Sequence, residues 1–184
     1  MSDQTVILNA AAMHRVLTRM AHEIAERNDD SSAVALVGVQ RGGVDLAQRL
    51  ATVLAGIWGH PVPVGSVDVA MHRDDLDQKL APQVHPTVIP FDLNDKTVVL
   101  VDDVLYSGRT TRAALDALND LGRPRRVQLA VLIDRGHREL PIKADFVGKN
   151  VPTARTERVD VRLKEECGED VVYLEKPEAH GGGG

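Results

Sequence analysis

Two adjacent acids followed by a short hydroxyl- and glycine-containing loop form the most informative segment of the sequence. Residues 98–110 read VVLVDDVLYSGRT, in which an apolar run ends in Asp102 and Asp103 and leads to Ser107, Gly108 and Thr110. Backbone N–H groups of such a loop, with a helix N-terminus behind them, can cradle a phosphate. The two carboxylates would repel a phosphate but suit a neutral diol. The segment therefore predicts a site for a ribose 5-phosphate.

Two plainer interpretations of the same residues remain open at this point. An acidic pair can simply end a strand while Ser-Gly caps the next helix, and an acidic pair can bind a metal ion, as in receiver domains. The complete string of strand, two acids and Ser-Gly-x-Thr makes both less favourable. The sequence contains neither G-x-G-x-x-G nor G-x-x-x-x-G-K-[ST], so it lacks the motifs of dinucleotide and P-loop sites.

The elements that must position these residues follow from the hydrophobic pattern. Apolar runs at 33–39, 97–101 and 127–133 predict buried strands, and shorter strands fit 62–69, 144–147 and 171–174. Helices are predicted over 9–27, with Asn9 as N-cap, over 44–56 and over 109–121. Alternation of this kind predicts an α/β fold with a mostly parallel twisted sheet flanked by helices. Since ligands bind at the carboxyl ends of such strands, the residues at 40–43, 102–103 and 134–135 should meet there.

The remaining segments suggest one domain with a flap and a tail. Residues 71–95 are polar and contain Pro82, Pro86 and Pro90, which predicts a functional flap or hairpin. No internal repeat or linker is present, so we expect a single domain over residues 1–178. Residues 179–184, which end in four glycines, should form a disordered tail.

Composition excludes several classes of protein. The 184-residue chain carries a net charge of −5 and 3% aromatic residues, which argues against broad nucleic-acid affinity and against recognition by stacking. Its one cysteine, Cys167, allows no intrachain disulfide and no cysteine-based zinc site. No signal peptide and no apolar stretch of membrane-spanning length is visible, so we expect a cytoplasmic protein that does not contact the membrane.

The segment VVLVDDVLYSGRT resembles the signature with which type I phosphoribosyltransferases bind phosphoribosyl pyrophosphate (PRPP). Further segments resemble the PyrR family, pyrimidine regulatory proteins with uracil phosphoribosyltransferase activity: LTRMAHEIAERN (17–28), MHRDDL (71–76) and LGRPRRVQLAVLIDRGHRELPIKADFVGKNVPT (121–153). The resemblance covers about residues 10–160, and the run DRGHRELPIKADFVGKNVPT is its most specific part. It implies the type I phosphoribosyltransferase fold, with a small hood and a flexible flap.

The resemblance also implies a reaction, in which uracil and PRPP give UMP and pyrophosphate, with Mg²⁺ carried by PRPP and no metal site belonging to the protein itself. The implied catalytic residues are Asp102, Asp103 and Arg41. The implied PRPP and nucleotide site comprises Gln40, Arg41, Gly42, Asp102, Asp103, Val104, Leu105, Tyr106, Ser107, Gly108, Arg109 and Thr110. The implied flap residues are Arg73, Asp74 and Asp75, and those on the uracil side are Asp134, Arg135 and Gly136. Where many members have Thr-Arg-Gly, this chain has Arg41-Gly42-Gly43, so its arginine lies one position earlier.

A second implied activity is binding of a hairpin in pyr leader mRNA in response to UMP or UTP. The implied RNA-binding residues are Thr18, Arg19, His22, Arg138, Lys149 and Arg155. Taken without the resemblance, these residues fit a solvated helix face and scattered surface charge equally well. The family also implies a homodimer or homotetramer. Two alternatives stay open: an RNA-binding nucleotide sensor with little or no catalysis, and a phosphoribosyltransferase for another base. Tyr106 stands where purine-using relatives carry an acid, which weighs against a purine.

Overall fold

Residues 3–70 and 86–178 are described by the structure, a computed structural model. Its elements in chain order are β1 (Asp3–Leu8), α1 (Ala10–Arg27), a 3₁₀ turn (Ser31–Ala33), β2 (Val34–Val39), α2 (Gly42–Trp58), β3 (Val64–Val67), β4 (Thr97–Leu105), α3 (Arg109–Leu121), β5 (Arg126–Asp134), β6 (Phe146–Asn150), β7 (Arg158–Arg162), α4 (Lys164–Cys167) and β8 (Val171–Lys176).

The main sheet has five parallel strands in the order β3-β2-β4-β5-β6. Alternate residues of its central strands enter different cores. Val99 and Val101 pack with α1 and α2 on one face, whereas Val98 and Leu100 pack with α3 on the other. Because both faces are covered, the strands carry continuous apolar runs, as parallel sheets do. The predicted fold class is confirmed by this architecture.

Helix α1 confirms the predicted amphipathic helix and its cap. The Asn9 side chain accepts a hydrogen bond from the backbone N–H of Ala12 at 2.8 Å. One face is buried, with the side chains of Met13, Leu17, Met20, Ala21 and Ile24. At the other end Asn28 is buried, and its amide donates to Ile24 O and to Gln128 Oε1 on β5, each at 2.9 Å. These bonds fix the end of α1 against the sheet.

Three strands form a second, antiparallel sheet in the order β1-β8-β7, which we call the hood. Of these, only β8 was predicted from the sequence. Strand β1 is DQTVIL and exposed over its first four residues, so it has no apolar run that would mark it. Its pairing with β8 joins the two ends of the described chain, for example Asp3 with Lys176.

Several predicted boundaries need correction. The acids Asp102 and Asp103 lie inside β4 rather than after it, because parallel pairing with β5 continues as far as Leu105 and Asp134. Helix α2 begins at Gly42, two residues earlier than predicted, and the strand expected over 62–69 is limited to β3. The flap residues Arg73, Asp74 and Asp75, and the tail 179–184, lie outside the described residues. In the described ranges no helix combines the length and apolar character that a membrane span requires.

Candidate active site

The loop between β4 and α3 has its carbonyl groups turned toward the segment that follows β5. Tyr106 O accepts a hydrogen bond from Arg138 Nη1 at 2.9 Å, and Ser107 O accepts from the backbone N–H groups of Glu139 and Leu140 at 2.9 and 3.1 Å. Leu105 O accepts likewise from Arg135 N at 3.1 Å. With three successive carbonyls held on one side, the intervening N–H groups are presented on the other.

That other side is a small cavity of about 80 Å³, lined by Val104, Leu105, Tyr106, Ser107, Gly108, Thr110 and Thr111. Within the described residues, no hydrogen bond occupies the backbone N–H of Ser107, Gly108 or Thr110. Gly108 has φ of 93° and begins α3, so the free N–H groups of the first helical turn point the same way. The volume and the donors together suit a phosphate group. The predicted residues 104–110 span the end of β4, the connecting loop and the start of α3, and the Arg109 guanidinium pairs with Glu139 at 3.1 Å.

The acidic pair lies directly before this loop. Asp102 is buried at 8% exposure and accepts from the N–H of Asp103 at 2.8 Å. Asp103 is less buried and accepts from the N–H of Val104 at 2.8 Å through one oxygen. Its other carboxylate oxygen lies against Gly42, where an added Cβ would come within 2.5 Å of it. The pair is therefore fixed between the phosphate loop and the start of α2.

The turn from β2 into α2 reaches the acids because of its glycines. A Cβ on Gly43 would collide with the carbonyl oxygen of Val101 on β4, and one on Gly38 would come within 2.5 Å of Gly43 O. Only a turn without side chains can approach β4 this closely. The Gln40–Arg41 peptide in this turn is cis. Arg41 is exposed, with its guanidinium 3.8 Å from Glu166 of α4. Of the predicted residues in this turn, Gly42 lies next to Asp103, and the Arg41 guanidinium lies beside Glu166.

The predicted base-side residues line a larger cavity at the ends of β5 and β6. Its volume is about 370 Å³, and its lining is Asp134, Arg135, Gly136, His137, Arg138, Asn150, Val151 and Pro152. His137 and Asn150 were not predicted as site residues. Both lie in the run DRGHRELPIKADFVGKNVPT, and His137 directly follows the predicted residues 134–136, which is the signal that could have found it.

Arg135 and Tyr106 form the wall between the two cavities. The Arg135 guanidinium lies 4.3 Å from the centre of the Tyr106 ring. It also donates to Thr153 Oγ1 at 3.2 Å and to Glu157 O at 2.7 Å. Since Arg135 is only 8% exposed, its role is to hold Tyr106 and the 153–157 segment in place. The edge of the Tyr106 ring faces His137, with ring centres 5.9 Å apart.

Comparison with known proteins decides the family. A model described as phosphoribosyl transferase domain matches residues 3–166. A bifunctional protein PyrR of Thermus thermophilus is 59% identical over 169 residues, covering 91% of this chain and 93% of its own. The corresponding protein of a Roseiflexus species is 60% identical over 178 residues, covering 96% and 97%, and that of Listeria welshimeri is 55% identical over 183 residues, covering 97% and 100%. The chain belongs to the PyrR family of phosphoribosyltransferases.

Solved structures agree on the fold. A hypoxanthine phosphoribosyltransferase from Staphylococcus aureus matches with a TM-score of 0.68 at 16% identity, covering 96% of this chain and 93% of that one. One from Trypanosoma cruzi, in a ternary substrate complex, matches with a TM-score of 0.72 at 16% identity, covering 96% of each. At such identity the likeness concerns the fold alone, and it agrees with the parallel sheet and hood of this PyrR chain.

The residues that the PyrR resemblance assigned to RNA binding divide into two groups. Thr18, Arg19 and His22 lie on α1, where Arg19 and His22 are exposed, and Arg19 donates to Val147 O at 3.3 Å on β6. Lys149 is exposed on β6, but its side chain alternates with Gly148, whose Cβ position faces Val16 of α1, so it lies on the other face of the strand. Arg155 is exposed in the loop before β7.

Arg138 lies apart from that face. Its guanidinium donates to Tyr106 O and Ile142 O, each at 2.9 Å, and pairs with Asp134 at 2.5 Å. These bonds connect the phosphate loop, the base-side cavity and the segment leading to β6. The contacts give Arg138 a positioning role in the PyrR nucleotide site, which its sequence context did not indicate.

The hood is attached to α2 by charged groups. Arg49 of α2 binds Glu165 and Asp170, each at 2.7 Å. Hydrogen bonding to Arg49 lowers the pKa of both carboxyls, and the two carboxylates raise the pKa of Arg49. The pKa of Asp45, one turn before Arg49, is raised by burial and then by the nearby charges of Glu165 and Glu166. In the part of the chain described, no three His, Cys, Asp or Glu side chains converge as metal ligands.

Proposed function

We propose that the chain transfers ribose 5-phosphate from PRPP to uracil, which yields UMP and pyrophosphate. The observation that carries the proposal is the loop between β4 and α3: the carbonyls of residues 105–107 are engaged behind it, and the N–H groups of Ser107, Gly108 and Thr110, which have no hydrogen bond among the described residues, lie at a phosphate-sized cavity. The 5-phosphate accepts from those N–H groups and from the hydroxyls of Ser107 and Thr110. Asp102 and Asp103 then lie where the ribose hydroxyls follow, and they accept hydrogen bonds from the diol.

Bond breaking at the ribose needs charge stabilisation more than a nucleophile. As pyrophosphate leaves, C1′ gains positive charge, and Asp103 supplies the negative charge nearest the ribose ring. Arg41 neutralises part of the leaving group's charge from the turn that packs against Asp103. The flap residues Arg73, Asp74 and Asp75 would close over the site and exclude water.

Mg²⁺ enters the proposal as part of the substrate. Two adjacent carboxylates without a third ligand suit an ion that arrives with PRPP, because Mg²⁺ is commonly held by one or two carboxylates together with substrate phosphates. When bound, the ion offsets negative charge on the pyrophosphate. Asp102 and Asp103 are the residues that would lie closest to it.

Uracil belongs in the 370 Å³ cavity beside Asp134, Arg135 and Gly136. The cavity adjoins Tyr106, so base and phosphate can be held in one nucleotide. A panel of bases tests the assignment. Rapid pyrophosphate release with uracil supports it, whereas release with hypoxanthine or guanine alone would replace it with a purine activity.

The catalytic proposal is tested by Asp103→Asn. We expect pyrophosphate release from uracil and PRPP to fall by about 10²- to 10³-fold, because a charge that stabilises the transition state is removed. Asp116→Asn, at an exposed position on α3, is the matched control and should retain the wild-type rate. A wild-type chain without any pyrophosphate release would leave the nucleotide sensor as the better description.

The second part of the proposed function is regulation: the chain binds a pyr leader mRNA hairpin in response to UMP or UTP. The exposed side chains of Arg19 and His22 on α1 support it, and the resemblance adds Thr18, Lys149 and Arg155 to the RNA-binding residues. With few aromatic residues, recognition uses arginine and the shape of the loop. We place the protein in the cytoplasm as a homodimer or homotetramer of one-domain chains; a single monomeric species in sedimentation at micromolar concentration would contradict the oligomer.

The RNA assignment is tested by Arg19→Ala. We expect weaker binding of the hairpin and unchanged uracil phosphoribosyltransfer, because the α1 face lies away from the phosphate loop. Arg158→Ala, which removes an exposed arginine from β7, is the control. Unchanged hairpin affinity in Arg19→Ala would show that α1 does not contact RNA.

A further inference from the structure

A row of arginine side chains runs from the amino-terminal end of β5 along α1 to the backbone of β6. We call Arg125, Arg126, Arg27 and Arg19 the basic strip. We propose that its first three members bind phosphates of the RNA, so that the RNA-binding surface extends to the end of the sheet opposite the nucleotide site. The inference rests on the proposed RNA binding and adds residues that the sequence did not assign to it.

At the amino-terminal end of β5, the strip borders a polar cavity of about 200 Å³. Its lining includes the three arginines Arg27, Arg125 and Arg126, and its remaining residues are Asn28, Asp29, Asp30, Ala33 and Thr97. Arg125 and Arg126 are exposed, and their backbones are fixed, since both N–H groups donate to Lys96 O, at 2.9 and 3.5 Å. Among the described residues neither guanidinium has a hydrogen bond or ion pair. Two arginines held side by side without a carboxylate partner are available to an external anion.

The two acids of the cavity do not cancel this charge. Asp30 is engaged with the Ser32 hydroxyl at 2.6 Å, and Arg27 pairs with Asp145 at 3.7 Å, which leaves Arg125 and Arg126 as the arginines of the cavity without a paired carboxylate among the described residues. The acids do argue against a tight enclosed site for a free phosphate ion. A polyanion lying across the surface meets the arginines without entering the cavity, which favours an RNA backbone as the ligand.

The strip is continuous with the surface already assigned to RNA. The Arg27 guanidinium lies 5.5 Å from the centre of the Phe146 ring at the start of β6, and 3.7 Å from Asp145. Arg19 donates to the carbonyls of Val147 and Gly148, the next residues of β6. Contacts with β6 therefore lead without a gap from Arg27 at the cavity to Arg19.

Net charge explains why such an extension matters. The whole chain carries −5 and repels RNA at long range, so specific binding needs a local excess of arginine and lysine. On the α1 face, Glu23 already pairs with Arg19 at 2.6 Å, which reduces the charge available there. The unpaired Arg125 and Arg126 supply charge that the α1 face lacks.

The test is the double variant Arg125→Gln/Arg126→Gln. A labelled pyr leader hairpin is titrated by fluorescence anisotropy over a range of KCl concentrations. We expect the Kd to rise about tenfold and the slope of log K against log salt to fall by about 1 to 2, because two phosphate contacts are lost. The double lysine variant, which keeps the charge, should recover most of the affinity. Thermal melting shows that each variant is folded.

The matched control is Arg158→Gln/Lys176→Gln, which removes the same two charges from exposed positions on the hood. We expect its Kd to change less than twofold. An equal loss of affinity in this control would show that net charge, and not the positions of Arg125 and Arg126, determines RNA binding, and it would overturn the inference. Unchanged affinity and slope in Arg125→Gln/Arg126→Gln, with Arg19→Ala still defective, would overturn the inference and leave the proposed function standing. A wild-type chain that does not bind the hairpin would remove the RNA half of the function itself.

Discussion

At the scale of single residues, the nucleotide site depends on which way a few backbone groups face. The carbonyls of Tyr106 and Ser107 are taken by Arg138, Glu139 and Leu140. Because these carbonyl groups are already hydrogen-bonded, the N–H groups on the other side of the loop can face a phosphate without leaving a carbonyl unsatisfied. The anion site is therefore produced by the segment after β5 as much as by the loop itself.

Glycine at position 43 gives a prediction at this scale. A Cβ there would overlap the carbonyl oxygen of Val101, which is backbone and cannot move aside. We expect Gly43→Ala to displace the start of α2 from Asp103, with a stability loss of about 2 kcal/mol and a fall of roughly 10²-fold in kcat/KM for PRPP.

Gly56→Ala on the same helix is the control for Gly43→Ala. An added Cβ at Gly56 has no neighbour within 4 Å. This variant should be more stable by about 0.5 to 1 kcal/mol, with wild-type kinetics. Equal kinetics in both variants would show that the close approach of α2 to β4 is not needed for catalysis.

At the scale of elements, the hood depends on Arg49 for its attachment to α2. The sign of the pH effect follows from the lowered pKa values of Asp170 and Glu165. A carboxyl whose pKa is lower when folded stabilises the fold above its unfolded pKa and loses that contribution as the pH falls through the folded value. We therefore expect the melting temperature of the wild type to fall steeply below about pH 4.

Arg49→Gln provides the comparison at the element scale. At pH 7 its melting temperature should be lower by about 3 to 5 °C, and the gap to wild type should narrow in acid, because both carboxyls are then protonated. Differential scanning calorimetry from pH 3 to pH 7 measures this difference in melting temperature. A gap independent of pH would assign the loss to packing of the Arg49 side chain rather than to charge.

The elements also show which parts of the fold could be predicted from the sequence. Buried runs and the Asn9 cap identified the parallel sheet and α1, because each is a local pattern. Strand β1 could not be found this way, since its partner β8 lies at the other end of the chain. The contacts of Arg138 with Tyr106 O could not be predicted either, because that carbonyl lies 32 residues away in the sequence. The segment proposed to bind phosphate could be singled out because its residues are contiguous.

At the scale of the whole molecule, a nucleotide should bind the folded chain and stabilise it. In the proposed function, UMP would contact groups that only the fold brings together, from the loop between β4 and α3 to the base-side cavity. At a UMP concentration 100 times its Kd, the stabilisation is about 2.7 kcal/mol, which raises the melting temperature by roughly 5 to 10 °C. Asp103→Asn should show a smaller shift, and an equal shift with inorganic phosphate alone would limit recognition to the phosphate loop.

The buried and the exposed residues of helix α1 lie on different sides of the helix. Met13, Met20 and Ile24 hold the core, whereas Arg19 and His22 face outward and lie on a different side of the same cylinder. Arg19 also donates to the backbone of β6, so it ties α1 to the sheet edge. Outward side chains without such a contact, such as His22, can be varied in a directed library to change what this surface recognises while the core beneath it keeps its packing.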